Sequence, residues 1–166
     1  MKTLKNTFGI LLIAFFSISC SNNDDNSVQE PQPTTDDFLM ARVNGEQYSA
    51  TGILVTASRK SNGGVQIFSS IATGTQFQIH LDNVAAIGTY TTTSVAGSPF
   101  SRMAVVTGSP ATIYEAGECG TSGTLTITSI SSTEISGTFS FTGTTIGSVC
   151  PRPTKTITEG SFKTPL

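Results

Sequence analysis

The sequence predicts an all-β domain, either an antiparallel β-sandwich or a calycin-like barrel of about 8–10 short strands. Three observations predict it. Apolar and polar residues alternate in short runs, as they do when one face of a strand is dry and the other wet. Turn residues punctuate the chain every eight to twelve positions or so, and no helical pattern of ordinary length appears beyond the N-terminal segment. The composition agrees: 27 Thr and 21 Ser stand against only 12% charged residues, about half the usual share. Threonine suits a pleated surface because its β-branch restricts χ1, so the wet faces of this chain are built from hydroxyls rather than from Lys and Glu.

The strands follow in order. Residues 38–43 form a short apolar strand, and Asn44-Gly45 is a two-residue hairpin signal because both tolerate positive φ. Residues 46–50 return, residues 52–58 carry Ile53, Leu54 and Val55 as a third strand, and residues 59–64 make a polar turn. Residues 65–73 set Val65, Ile67, Ser69 and Ile71 on one face, and Gly74 ends the run. Residues 75–82 alternate cleanly: Phe77, Ile79 and Leu81 share one face, Gln76, Gln78, His80 and Asp82 the other. Residues 87–93, 100–107 and 111–115 are further strands, and residues 117–123 form a loop holding Cys119. In the last third, Leu125 and Ile127 alternate with threonines, and Ile135, Gly137, Phe139 and Phe141 face one side of the next run. These two runs form an antiparallel hairpin across residues 129–133. A loop over residues 144–153 holds Cys150, and residues 154–163 are the last strand. Ile157 and Phe162 fall on opposite parities there, which predicts a bulge near Glu159-Gly160.

The N-terminal segment is of another kind. Lys2 and Lys5 precede an apolar run over residues 8–18, the right size for a secretory signal core and too short to span a bilayer. Ser17-Ile18-Ser19-Cys20 resembles the bacterial lipobox, with Ser17 where Leu is commonest. That resemblance implies cleavage before Cys20 and acylation of its sulfur and new amine. Two or three acyl chains, at about 0.8 kcal/mol per buried methylene, hold a protein stably where one does not. Ser21-Asn22-Asn23-Asp24-Asp25 looks like the acidic stretch that directs such lipoproteins to the outer leaflet, so the expected location is the outer membrane, facing the cell surface. The expected organisation is a signal peptide over 1–19, a lipidated cysteine and disordered tether over 20–36, and one all-β domain over 37–166. Lipidation of Cys20 also settles an odd cysteine count, leaving Cys119 and Cys150 as a disulfide pair in a compartment that permits one.

Two further patterns carry a resemblance. Ala41-Arg42-Val43-Asn44-Gly45-Glu46-Gln47-Tyr48 is similar to A-x-V-N-G-x-x-aromatic, and Ile135 to Phe141 with Ile157 to Phe162 is similar to I-x-G-T-F-x-F … I-x-x-G-x-F. Together they resemble small Bacteroidetes lipoproteins, mostly flavobacterial, that form a domain family of unknown function. The resemblance implies an all-β lipoprotein and transfers no active residues.

The residues give little chemistry. A net charge of -2 and the lack of a basic patch argue against a nucleic-acid partner. His80, the one histidine, has Asp82 on its strand face, and it reads as a surface imidazole. Glu115 and Glu118 flank Cys119 and read as solvated loop charge rather than as a paired-carboxylate site. No nucleophile elbow, P-loop, dinucleotide fingerprint or calcium loop occurs, so no catalytic residue, metal or cofactor is assigned. The expected function is a non-catalytic surface module binding glycan or protein, with Tyr48, Tyr90 and Tyr114 as candidate contact aromatics. The alternative is a calycin-like carrier of a small apolar ligand, and a hydrolase stands third.

Overall fold

The computed structural model describes residues 36–82, 85–92 and 100–166. The expected signal peptide, Cys20 and the expected tether up to residue 35 lie outside the described residues, as does Thr93 at the end of one expected strand. Among the described residues eleven strands form one antiparallel sheet: β1 Phe38–Val43, β2 Glu46–Thr51, β3 Val55–Arg59, β4 Val65–Ser70, β5 Gln76–Leu81, β6 Gly88–Thr91, β7 Phe100–Thr107, β8 Thr112–Glu115, β9 Gly123–Ile130, β10 Glu134–Thr145 and β11 Thr154–Pro165. Their main path runs β2-β1-β11-β10-β8-β7-β5-β4-β3, with β9 on β10 and β6 on β9. The two ends of that path, β2 and β3, are consecutive in sequence and joined by a short 3₁₀ turn, Gly52–Leu54. β3 also lies against β11, where the buried Thr164 hydroxyl donates to the Val55 carbonyl at 3.5 Å. The sheet is therefore a nearly closed, barrel-like structure.

The alternation read from the sequence fixes the inside. Phe77, Ile79 and Leu81 of β5, Leu125 and Ile127 of β9, and Ile135, Phe139 and Phe141 of β10 are all buried. Their alternates Thr124, Thr128, Thr138 and Ser140 face solvent. β10 is long enough to serve two neighbours on one edge: residues 135–141 pair with β9, and Thr144 and Thr145 pair with β8. At the changeover Gly143 lies so close to the backbone of Tyr114 that a Cβ would meet it at 2.8 Å.

The predicted bulge lies in β11. Phe139 faces Gly160 and Phe141 faces Ile157, so β11 spends one residue more than β10 over the same span. The pairing with β1 shows the same surplus between Met40 and Arg42. Glu159 takes it up with φ of 53°. Ile157 and Phe162, out of phase in sequence, both end inside at 1% exposure. The bulge brings Gly160 against Phe139, where an added Cβ would overlap the carbonyl oxygen and meet ring carbons at 2.6 and 2.7 Å. Gly160→Ala is thus expected to cost about 1–3 kcal/mol in urea unfolding, because backbone on one side and a packed ring on the other leave little room to give.

One expected element differs. Ile53 and Leu54 belong to the 3₁₀ turn, not to a strand, and are 77% and 42% exposed. Gly52, with φ of 58°, turns the chain there from one edge of the sheet to the other. The two shortest strands, β6 and β8, four residues each, lie within the expected strands over residues 87–93 and 111–115.

Candidate functional site

Strand direction gives the barrel two distinct ends. Phe38 pairs with Thr51 and Lys163, and the Leu166 amide donates to the Thr133 carbonyl, so both ends of the described chain share one end of the barrel. At the other end the β1–β2 turn, Asn44-Gly45, is clamped to the start of β11. The Asn44 amide donates to the Thr156 carbonyl, and the Thr156 amide donates to Asn44 Oδ1, both at 2.8 Å. Beside this clamp opens a cleft of about 560 Å³ lined by Val43, Asn44, Glu46, Gln47, Tyr48, Ile71, Thr73, Thr75, Thr107 and Lys155. Its lining mixes two carboxamides, three threonine hydroxyls, one carboxylate and one ammonium with three apolar or aromatic side chains.

Tyr48 forms the floor of this cleft. It is 2% exposed, its ring lies edge-on to Phe77 at 4.8 Å, and its hydroxyl shares a hydrogen bond of 2.9 Å with Ser69 Oγ. Burial pushes the Tyr48 phenol above its ordinary value of 10.0, while the Ser69 hydrogen bond pulls weakly the other way. The consequence for stability has a definite sign. With the folded-state value raised, the stabilisation is fully present below about pH 10, where the unfolded phenol stays neutral, and is lost as pH rises through the folded-state value. Urea midpoints measured from pH 9 upward should therefore fall more steeply for the native chain than for Tyr48→Phe. Equal slopes would exclude a buried neutral phenol.

Tyr90 and Tyr114 lie elsewhere. The half-buried Tyr90 faces Leu125 across β6 and β9, and its hydroxyl donates to the Ala86 carbonyl at 2.8 Å. Tyr114 on β8 lies under the Lys155 ammonium, 5.2 Å from its ring centroid. Lys155 thus links Tyr114 to the rim of the cleft, but no described cleft is lined by more than one of the three tyrosines. Two smaller hollows, about 330 and 250 Å³, lie on the hydroxyl-rich outer face of β9, β10 and β11. His80, half-buried on β5, faces Gln66 and Arg102 across its neighbouring strands. Among the described residues no three His, Cys, Asp or Glu side chains gather where they could hold a metal ion.

The strand order and the end cleft belong to a barrel whose whole length, from β1 to the end of β11, is one recognisable unit. A family described as a domain of unknown function, DUF6252, matches residues 36–164. The chain belongs to this family. No curated protein and no solved structure matches it. The match takes in the described strands of the DUF6252 domain but for Pro165 at the end of β11, together with the cleft and both loop cysteines.

Those loops form the second polar site of the DUF6252 domain. Cys119 and Cys150 are disulfide-bonded, with Cα atoms 5.7 Å apart. The 117–121 loop is tied by the Gly117 amide donating to the Thr121 carbonyl and the Thr121 amide donating to the Glu118 carbonyl. Arg152 reaches back from the other loop and lies along the bridge, its side chain only 10% exposed. Its Nη2 donates to Glu118 Oε2 at 2.8 Å and to Cys119 Sγ at 2.9 Å, and its Nε donates to Cys119 Sγ at 3.1 Å. Nη1 is buried with no acceptor among the described residues. Gly147 covers it, since a Cβ there would come within 3.0 Å of Nη1. Sequence reasoning paired the cysteines and missed Arg152. The one local signal was its place between Pro151 and Pro153, which fix the backbone around a side chain that must be held in place.

Proposed function

We propose that the domain is a non-catalytic binding module of the cell envelope, held on the outer membrane by acyl chains on Cys20 and facing the cell surface, with the distal cleft as its binding site. The observation that carries this reading is the opposition of the two ends. The 20–36 tether joins where β1 begins, and the cleft opens where β1 ends, about 20 Å along a six-residue strand. A ligand approaching from outside meets the cleft first. The lining suits a neutral, hydroxylated ligand such as an oligosaccharide. Asn44, Gln47, Thr73, Thr75 and Thr107 offer donors and acceptors, Glu46 and Lys155 offset each other's charge, and Val43 and Ile71 supply apolar contact. The proposal assigns no catalytic group, cofactor or nucleic-acid partner.

Two measurements test it. Cys20→Ser should move the chain from the membrane to the soluble fraction, and protease added to intact cells should digest the native chain. A Cys20→Ser chain that stays with the membrane removes the anchor. For the cleft, the probe is an array of neutral oligosaccharides screened with the full chain carrying Cys20→Ser. Binding weakened at least tenfold by Gln47→Ala is the expected result. A blank array, or binding indifferent to Gln47→Ala and Thr75→Ala, sinks the glycan reading. A second reading, a carrier of a small apolar ligand, draws its support from the barrel-like closure of the sheet. Tight uptake of an apolar fluorescent dye, reversed by a fatty acid, would favour it over the first.

A further inference from the structure

We propose that the Cys119–Cys150 disulfide is a site of thiol exchange, in which a low-molecular-weight thiol adds to Cys150 and Cys119 leaves as a thiolate held by Arg152. The bridge and Arg152 share no residue with the cleft and are separate from Cys20. Both cysteines lie in exposed positions at the distal end, open to a small reagent. The bridge is chemically lopsided. Arg152 gives two N–H donors to Cys119 Sγ at 2.9 and 3.1 Å, whereas its Nη2 lies 4.0 Å from Cys150 Sγ. In thiol–disulfide exchange the sulfur whose thiolate is better stabilised is the better leaving group, so attack is directed to the other one.

The state of the guanidinium adds a second observation. Arg152 is nine-tenths buried, yet in the oxidised protein its partners are one half-exposed carboxylate and a disulfide sulfur, a weak acceptor, and Nη1 has none among the described residues. A buried cation with unfilled donors stabilises whatever anion forms beside it. Reduction supplies that anion at Cys119. Glu118 works against this, because its carboxylate already takes one N–H of the same Nη2. It is 47% exposed, so solvent screens much of its opposing effect.

A thiolate RS⁻ attacks Cys150 Sγ; the new RS–S bond forms as the Cys150–Cys119 bond breaks, and the bonding pair passes to Cys119 Sγ. A second RS⁻ then attacks the RS sulfur of the mixed disulfide, releasing RSSR and leaving Cys150 as a thiolate. The protein disulfide gains two electrons and the small thiol loses two.

The test uses the full chain carrying Cys20→Ser, so that Cys119 and Cys150 are the only cysteines, with reduced glutathione as the probe. Brief exposure, acid quench and peptide mapping should place glutathione on Cys150 at least tenfold more often than on Cys119. Equal labelling, or labelling of Cys119, overturns the proposal. At equilibrium in graded glutathione buffers, Arg152→Met should favour the oxidised form at least tenfold, about 30 mV for this two-electron couple. Glu118→Gln should move the balance the opposite way. An Arg152→Met chain that is folded by circular dichroism and shifts less than twofold also overturns it. Should that variant not fold, the mapping on native loops and the sign of the Glu118→Gln shift still decide.

Discussion

Phe77→Ala is expected to lower unfolding free energy by about 3–5 kcal/mol, the range for removing a large buried aromatic without collapse of the site. Phe77 has no exposed surface. Its ring centroid lies 4.8 Å from that of Tyr48, 5.6 Å from Phe139 and 6.4 Å from Phe141, each steeply inclined to it. Such edge-to-face pairs add about 0.5–1.5 kcal/mol each beyond area burial. Geometry makes the loss hard to repair. Tyr48 is fixed at its far end by Ser69, and Phe139 and Phe141 are set by the β10 register on opposite sides of the β11 bulge. None can swing into the space without breaking a bond or a pairing. Phe77→Leu keeps much of the volume and should cost less than half as much. Urea unfolding followed by circular dichroism reads both. A Phe77→Ala loss under about 1 kcal/mol would show that the interior repacks freely and that the ring cluster is no framework.

Phe77 also shows what the sequence could reveal. β5 has one dry and one wet face, so its side chains alternate without exception and the strand reads directly. The same alternation runs through residues 123–128 of β9 and 134–143 of β10. Even an irregularity was legible: Ile157 and Phe162 cannot both be core residues of a regular strand, and their parity alone demanded an extra residue near Glu159. Ile53 and Leu54 misled for a physical reason. Apolar character marks a strand only where the backbone continues straight, and here the chain must cross from one sheet edge to the other at Gly52. The choice between sandwich and barrel was not written in alternation, because either gives each strand one dry face. It depends on which strands meet, and here the first strand pairs with the last, β1 with β11, a contact about 120 residues long in sequence that no local pattern encodes. Arg152 was hidden in the same way, since nothing in the spacing of 33 residues says that it will lie along Cys119. The cleft is also non-local: β1, β2, β7 and β11 each contribute residues that are unremarkable alone.

Removing the bridge in the double variant Cys119→Ser, Cys150→Ser is expected to cost about 3–4 kcal/mol. That is the loop-entropy value for a closed loop the size of the 31-residue separation found here. The cost falls on the unfolded state, which gains freedom, while β9 and β10 between the cysteines keep their register. Circular dichroism of the folded variant should therefore match the native chain even as its urea midpoint drops. Reduction of the native chain gives a sharper comparison, because it opens the same loop while leaving sulfur beside Arg152. Two serine hydroxyls offer the guanidinium neutral acceptors; a Cys119 thiolate offers it an opposite charge, which adds Coulomb attraction to the hydrogen bond. The reduced native protein should accordingly be more stable than the double serine variant, and Arg152→Met should erase most of the difference. If the two open-loop forms unfold together, the guanidinium senses no charge at Cys119 and its contacts there are packing alone. If the reduced form is the more stable, a buried arginine at the distal end supports the reduced protein against the loss of its own staple.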